Sequence, residues 1–283
     1  MLDQGQILSI NLGTIGVILA AMAVVGLIEI VTPLRARTTA NGFHLAPNMA
    51  LTFITFATNL GMNIAVILGL AWAQANEFGV LNQLHVGPIW HALIVVMVLD
   101  LSFYVAHVSM HKIAMFWRFH AVHHSDPAVD VTTTIRQHPG EGAIRYIYLA
   151  LFAIPLGASL PAFAIYRLAS VINGLLEHAN IRLPRWLDRM LSWLTTWPNL
   201  HKVHHSRDQS LTETNYGNLF SLWDRLFGTF TPSRFGAAVE YGLSGTDQAS
   251  EQTTAALLAA PFRRTATHAP VAASDTALRR PAR

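Results

Sequence analysis

Eight histidines in this chain fall into three short patterns. His107 and His111 form H-x-x-x-H. His120, His123 and His124 form H-x-x-H-H, and His201, His204 and His205 repeat that second pattern. With 14 histidines in 283 residues, H-x-x-H-H is expected about 0.03 times by chance, counted as a template match. Two copies therefore point to chemistry rather than accident. On a helix, positions i, i+3 and i+4 share a face, so each box presents its imidazoles to one side. Imidazole suits Zn, Cu, Fe and Ni. The chain has no cysteine, so a metal here is held by histidine, with Asp, Glu or water in support.

One transition-metal ion takes four to six ligands. Eight box histidines therefore suggest two ions, and His178 is a ninth candidate because it leaves an apolar hairpin at the same depth. Asp100, about two turns before His107, and Glu177, beside His178, are candidates for orienting a ligand imidazole. His138, in Arg136-Gln137-His138-Pro139, is open to three readings: a weak ligand, a gate or a loop residue. His44, His85, His91 and His268 belong to no pattern.

The elements that position these residues read as membrane spans. The chain is 52% hydrophobic and only 12% charged, about half the charged share of a soluble domain. Apolar runs at Ile7–Val31, Asn48–Ala73 and Ile89–Ala106 are each long enough to cross a bilayer. The run Ile144–Leu176 is interrupted by Pro155, Gly157 and Pro161 and reads as a helical hairpin that enters and returns. Trp186–Trp197 is amphipathic and Trp-rich, which places it at the interface. Residues 232–283 lack periodicity and read as a disordered tail. The expected fold is all-α: a polytopic membrane bundle carrying a cytosolic, histidine-rich helical cap. Its parts are N-terminal spans over 1–88, a catalytic domain over 89–231 and the tail.

Basic residues concentrate in Arg35–Arg37, Lys112–Arg145 and Arg182–Arg225, whereas Gln74–Pro88 has none. The positive-inside rule then puts every histidine box on the cytoplasmic side. The net charge of +3 is not gathered into a stripe, which excludes a nucleic-acid site. Boxes confined to one side argue against the alternative, a membrane metal-handling or transport protein, which needs polar groups along a path. A zinc hydrolase uses three ligands and a water, fewer than are offered here.

These segments resemble the fatty acid hydroxylase / sterol desaturase superfamily over roughly Ile89–Thr231. The pieces occur in family order. They are D-x-x-x-Y-x-x-H-x-x-x-H at Asp100–His111, W-R-F-H-A-V-H-H-S at Trp117–Ser125, R-x-H-P at Arg136–Pro139 and E-H-A-N-I at Glu177–Ile181. L-H-K-V-H-H-S-R-D follows at Leu200–Asp208, running into Asn215–Thr229. The resemblance implies a cytosol-facing di-iron centre held by His107, His111, His120, His123, His124, His178, His201, His204 and His205. It implies O2 as co-substrate, electrons from an external reductase, ferredoxin or cytochrome b5-like donor, and hydroxylation or desaturation of a lipid. Asn215, Tyr216, Asn218 and Asp224 are expected to fold the segment under the site.

Overall fold

The structure is a computed structural model and describes residues 4–36, 39–84 and 86–263. His85 and His268 lie outside the described residues. Among the described residues there is no β-strand, only two isolated bridges, Pro33 to Ile181 and Thr195 to Phe220.

Long apolar helices come first: α1 (Gln4–Val31), α2 (Leu45–Ala75), the short α3 (Val80–Gln83) and α4 (Pro88–Lys112). Among the described residues, three segments are long and apolar enough to cross a membrane: Leu12–Val31, Gly42–Gln83 and Pro88–Lys112. Their outward faces carry Leu27, Phe53, Leu68 and Leu93, all more than half exposed, the reverse of a water-soluble bundle. Pro88 opens α4, where a missing N–H costs nothing. At Ile113 the backbone turns extended, and α5 (Ala114–His124) folds back from there.

The interrupted apolar run is a helical hairpin of α6 (Pro139–Leu156) and α7 (Leu160–His178). It begins earlier than the apolar run, because Pro139 starts the first helix and the His138 side chain caps it. Gly157 ends α6 in the left-handed region at φ 77°, a conformation that favours glycine. A Cβ there would also press on Asn82, whose Nδ2 lies 3.0 Å away. The hairpin packs on α2 and α4, and Leu70, Val95, Leu99, Ala153 and Phe163 form the main core.

Short helices make up the cap: α8 (Arg185–Leu194), α9 (Pro198–His204), α10 (Gln209–Thr212) and α11 (Leu222–Leu226). Asn215 bridges this region in a left-handed turn, φ 56°, donating to the Leu200 and Thr231 carbonyls.

The tail expectation needs correction over residues 232–263. Tyr241 is buried, and Gln252 is buried against the second histidine box, donating to the Ser125 carbonyl at 2.9 Å. Helix α12 (Thr254–Ala259), capped by Thr253, packs Leu257 on Leu51 and Val122. This segment is held by scattered polar and apolar contacts to distant elements, so it leaves no hydrophobic period in the sequence. Residues 264–283 lie outside the described residues.

Candidate metal centre

Four helices deliver the histidines. His107 and His111 lie on the last turns of α4; His120, His123 and His124 lie on α5. His178 ends α7, and His201 and His204 lie on α9 with His205 just after it. All nine are buried, none more than 8% exposed.

They form two groups, and neither H-x-x-H-H box stays whole. One group is His107, His111, His120, His124 and His204; the other is His123, His178, His201 and His205. Within each group the candidate ligand atoms lie within 4.8 Å of one another. Each H-x-x-H-H box gives its i and i+4 histidines to one group and its i+3 histidine to the other. The groups abut: His124 stacks on His205 with ring centroids 4.6 Å apart.

The donor atoms converge through Nε2. His107 meets His120 at 3.0 Å, and His124 meets His120 at 3.2 Å. In the second group His178 Nε2 faces His123 and His201 at 3.1 Å and His205 at 3.2 Å. Two imidazoles bound at right angles to one ion, at about 2.1 Å each, set their nitrogens about 3.0 Å apart.

Outer partners fix the tautomers. His107 Nδ1 donates to the Tyr216 carbonyl, His178 Nδ1 to Gly174 and His204 Nδ1 to Thr214, each at 2.8 Å. Their Nε2 atoms are therefore bare lone pairs aimed into the groups. His178 aims its lone pair at three other ring nitrogens, a convergence that suits a cation between them. His204 Nε2 and both nitrogens of His111 are buried without a hydrogen-bond partner. Burial, then neighbouring imidazoles, push His120, His123, His124, His201, His204 and His205 well below the usual histidine range. They stay neutral, the form that binds metal. The residues present thus fit two transition-metal ions.

Two carboxylates that the sequence reading missed support the five-histidine group. Glu141, fully buried, sits 3.1 Å from His120 Nδ1 and 2.9 Å from the Arg145 guanidinium. Glu213 lies 3.6 Å from His111 Nδ1 and pairs with Lys112. Burial raises the Glu213 carboxyl, but His111 and Lys112 outweigh it and bring it to about 2. Burial also brings the Lys202 ammonium down to about 7, which limits extra positive charge beside the centre. Lys202 donates to the Ala179 carbonyl.

The three supporting candidates separate. Glu177 stays at the centre, 3.8 Å from His178 Nδ1 and 3.9 Å from His201 Nε2, with Oε2 buried and unpartnered. Asp100 does not touch a box histidine. It accepts from Leu219 N at 3.0 Å, Phe220 N at 3.1 Å and Trp223 Nε1 at 2.9 Å. It thereby holds the segment that follows Tyr216, the acceptor for His107. His138 lies outside both groups. Its Nδ1 accepts from Gly140 N at 2.9 Å, and its Nε2 contacts the Leu258 carbonyl at 3.2 Å. It is a helix cap. Asp224 takes the Tyr216 and Gly217 N–H groups at 2.7 and 2.9 Å, folding the segment under the site as expected.

Arg136, fully buried, ties the second box to the rest. It donates to the Val122 carbonyl, Asn48 Oδ1, Ser125 Oγ and Gln252 Oε1 at 2.7 to 2.9 Å. Asn48 Nδ2 and Thr133 Oγ1 in turn donate to Asp126 at 2.8 Å.

A cavity of about 700 Å³ reaches the centre from between α1, α2, α4, α6 and α7. Its floor is His107, His123, His178, His201 and Glu177, and its walls include Ile18, Phe56, Leu60, Leu149 and Phe163. Three of the four histidines of the second group therefore face the open space.

The described residues thus form a bundle of apolar helices with nine buried histidines in two adjoining groups at one end. Residues 92–229 of this chain match the fatty acid hydroxylase family. It is 31% identical over 146 residues to alkylglycerol monooxygenase of Caenorhabditis elegans, covering 51% of this chain and 28% of that protein. It is 30% identical over 203 residues to an ornithine lipid hydroxylase of Rhizobium tropici, covering 68% and 60%. A very-long-chain aldehyde decarbonylase of Arabidopsis thaliana is 30% identical over 175 residues, 58% of this chain and 25% of that one. The chain thus spans less than two thirds of the length of these relatives. No solved structure matches it significantly.

Proposed function

We propose that this protein is a membrane-bound di-iron oxygenase that uses O2 and two external electrons to hydroxylate a C–H bond of a lipid. The observation that carries this reading is the convergence of nine buried histidines, as two metal-sized groups, on the floor of an apolar cavity between membrane helices. The relatives' names all refer to alkyl or acyl lipids or their derivatives. The cavity volume is in the range of small-molecule sites, and its apolar walls suit a hydrocarbon chain.

The residues divide the work. His107, His111, His120, His124 and His204 would hold one iron, and His123, His178, His201 and His205 the other. Iron bound there supplies O2 activation and hydrogen abstraction. Carbonyls of Gly174, Thr214 and Tyr216 fix ring orientation, and the Glu141 carboxylate stands 3.1 Å from His120 Nδ1. The four-histidine group has fewer protein ligands and faces the cavity, so the substrate carbon would approach there. Glu177, buried on the cavity floor with a bare oxygen, is placed to take or return a proton. Phe56, Leu60 and Phe163 exclude water from the reacting carbon. Rigid outer support suits a resident ion better than a transported one. The basic loops beside the boxes favour the cytoplasmic face, where a soluble or membrane-bound electron donor can dock.

The test is metal identity and coupling. Protein purified from iron-57-fed cells is expected to hold close to two irons per chain, with the Mössbauer signature of a coupled pair. Full zinc occupancy from iron-replete cells, with no coupled iron, would overturn the reading. Lipidomics of a strain lacking the protein identifies the substrate through the lipid that accumulates.

A further inference from the structure

The cap turns one helix inside out. In α8 the buried side chains are polar: Asp188, which accepts from Ser233 Oγ at 2.7 Å, and Ser192. Its outward face is apolar, with Trp186, Met190, Trp193 and Leu194 all more than half exposed. These four recur at i, i+4, i+7 and i+8, a single stripe. Arg185 and Arg189 flank it and are exposed.

Helix α11 extends the same face. Ser221 N contacts the Leu194 carbonyl at 3.3 Å, and Ser221 Oγ donates to the Ser192 carbonyl at 2.9 Å. Arg225 lies 4.4 Å over the Trp193 ring and 3.8 Å over Phe230. Leu226 and Phe227 are 64% and 55% exposed.

Depth decides what covers this face. Asp100 binds Leu219, Phe220 and Trp223 from inside α4, about two turns, or roughly 10 Å, before His107. Tyr104 stacks on Phe227 at 5.3 Å from the same helix. If α4 crosses the bilayer with His107 at its edge, then residues 219–227 lie below the histidine plane, at hydrocarbon depth. Exposed Leu226 and Phe227 at that depth meet acyl chains. The three N–H donors on Asp100 also explain how a carboxylate is tolerated there.

We propose that α8 and α11 form a wedge sunk into the phospholipid leaflet nearest the metal centre. Trp193, Leu194, Leu226 and Phe227 lie among the acyl chains, and Arg185 and Arg189 sit at the headgroups. The wedge rests on the reading of α4 as a membrane span. It makes the cap a second, non-spanning membrane element. It also fixes the cavity floor at the depth where lipid chains begin.

The absence of cysteine makes the test clean. Single variants Trp193→Cys, Leu226→Cys, Leu93→Cys and Gln248→Cys, all at exposed positions, are spin-labelled in full-length protein. They are reconstituted in phosphatidylcholine–phosphatidylglycerol nanodiscs. Collision with O2, which concentrates in hydrocarbon, is compared with collision with a water-soluble nickel chelate. Leu93 on the outer face of α4 reports the span, and Gln248, in the exposed stretch ahead of α12, reports water. Labels at 193 and 226 are expected to match Leu93, with an O2-to-nickel ratio several-fold above Gln248. Ratios at 193 and 226 equal to Gln248, with Leu93 still in lipid, overturn the wedge and leave the span standing. Shielding from both reagents means a protein covers the face, which also overturns it. A water-like ratio at Leu93 removes the span and the wedge with it.

Discussion

Replacing Glu141 with alanine should weaken metal binding at the five-histidine group alone. Its carboxylate is fully buried, 3.1 Å from His120 Nδ1 and 2.9 Å from Arg145. Removing it frees the His120 ring to turn. It also leaves a guanidinium unpaired beside a site that is to hold two cations. Loss of an outer partner of a metal-bound histidine costs about 10- to 100-fold in affinity, or about 1.4 to 2.7 kcal/mol. Glu141→Gln keeps an oxygen that can accept from His120, so its loss should be smaller. The assay is competition with a chelator of known affinity, followed by metal analysis, on protein solubilised under identical conditions. The wild type should release its two ions together or nearly so. The alanine variant should release one early and keep the other. Wild-type affinity at both sites, or early loss from the four-histidine group, would refute the reasoning.

Other outcomes follow from the same geometry. His123→Ala removes a ligand from the four-histidine group, and His124→Ala removes one from the five-histidine group. Adjacent residues should therefore empty different sites, seen as distinct single-iron Mössbauer spectra, and His123→Ala should abolish oxidation while leaving membrane insertion intact. Gly13 lines the outer cavity, and a Cβ added there meets nothing within 4 Å. Gly13→Phe should keep full metal content while slowing turnover of long-chain substrates, measured by product formation across a chain-length series. Asp126 is buried; burial raises its carboxyl, but Arg136 and His44 outweigh this and hold it at about 2, below its ordinary 3.8. The stability it contributes is therefore present above about pH 4 and lost as pH falls through about 2. Thermal unfolding of metal-free protein between pH 2 and pH 5 should show this loss, and Asp126→Asn should flatten it.

Much of the helical framework was legible because apolar runs and proline breaks are local signals. The hairpin was visible in Pro155, Gly157 and Pro161, although its true start at Pro139 depends on the cap made by His138. Glu141 and Glu213 were not legible. Each meets its histidine from another element, and no spacing announces the pair. Asp100 and His138 carry the right chemistry for a metal site, but their partners are backbone groups elsewhere. Residues 232–263 fold through side-chain contacts such as Arg136 with Gln252, which leave no periodic trace.

The sequence by itself determined the donor atoms: nine imidazoles and no thiolate, three at the ends of apolar runs and six on or beside short helices. Helix geometry also made a split within each box available, because at 100° per residue the i+4 side chain lies about 40° from i, whereas i+3 lies about 60° the other way. Only the tertiary structure decided the partition. The break at Ile113 folds His120 and His124 onto His107 and His111, while the end of α7 brings His178 to His123, His201 and His205. Which imidazoles share an ion depends on which helix end stands opposite each face, and that is fixed by packing between segments far apart in the chain.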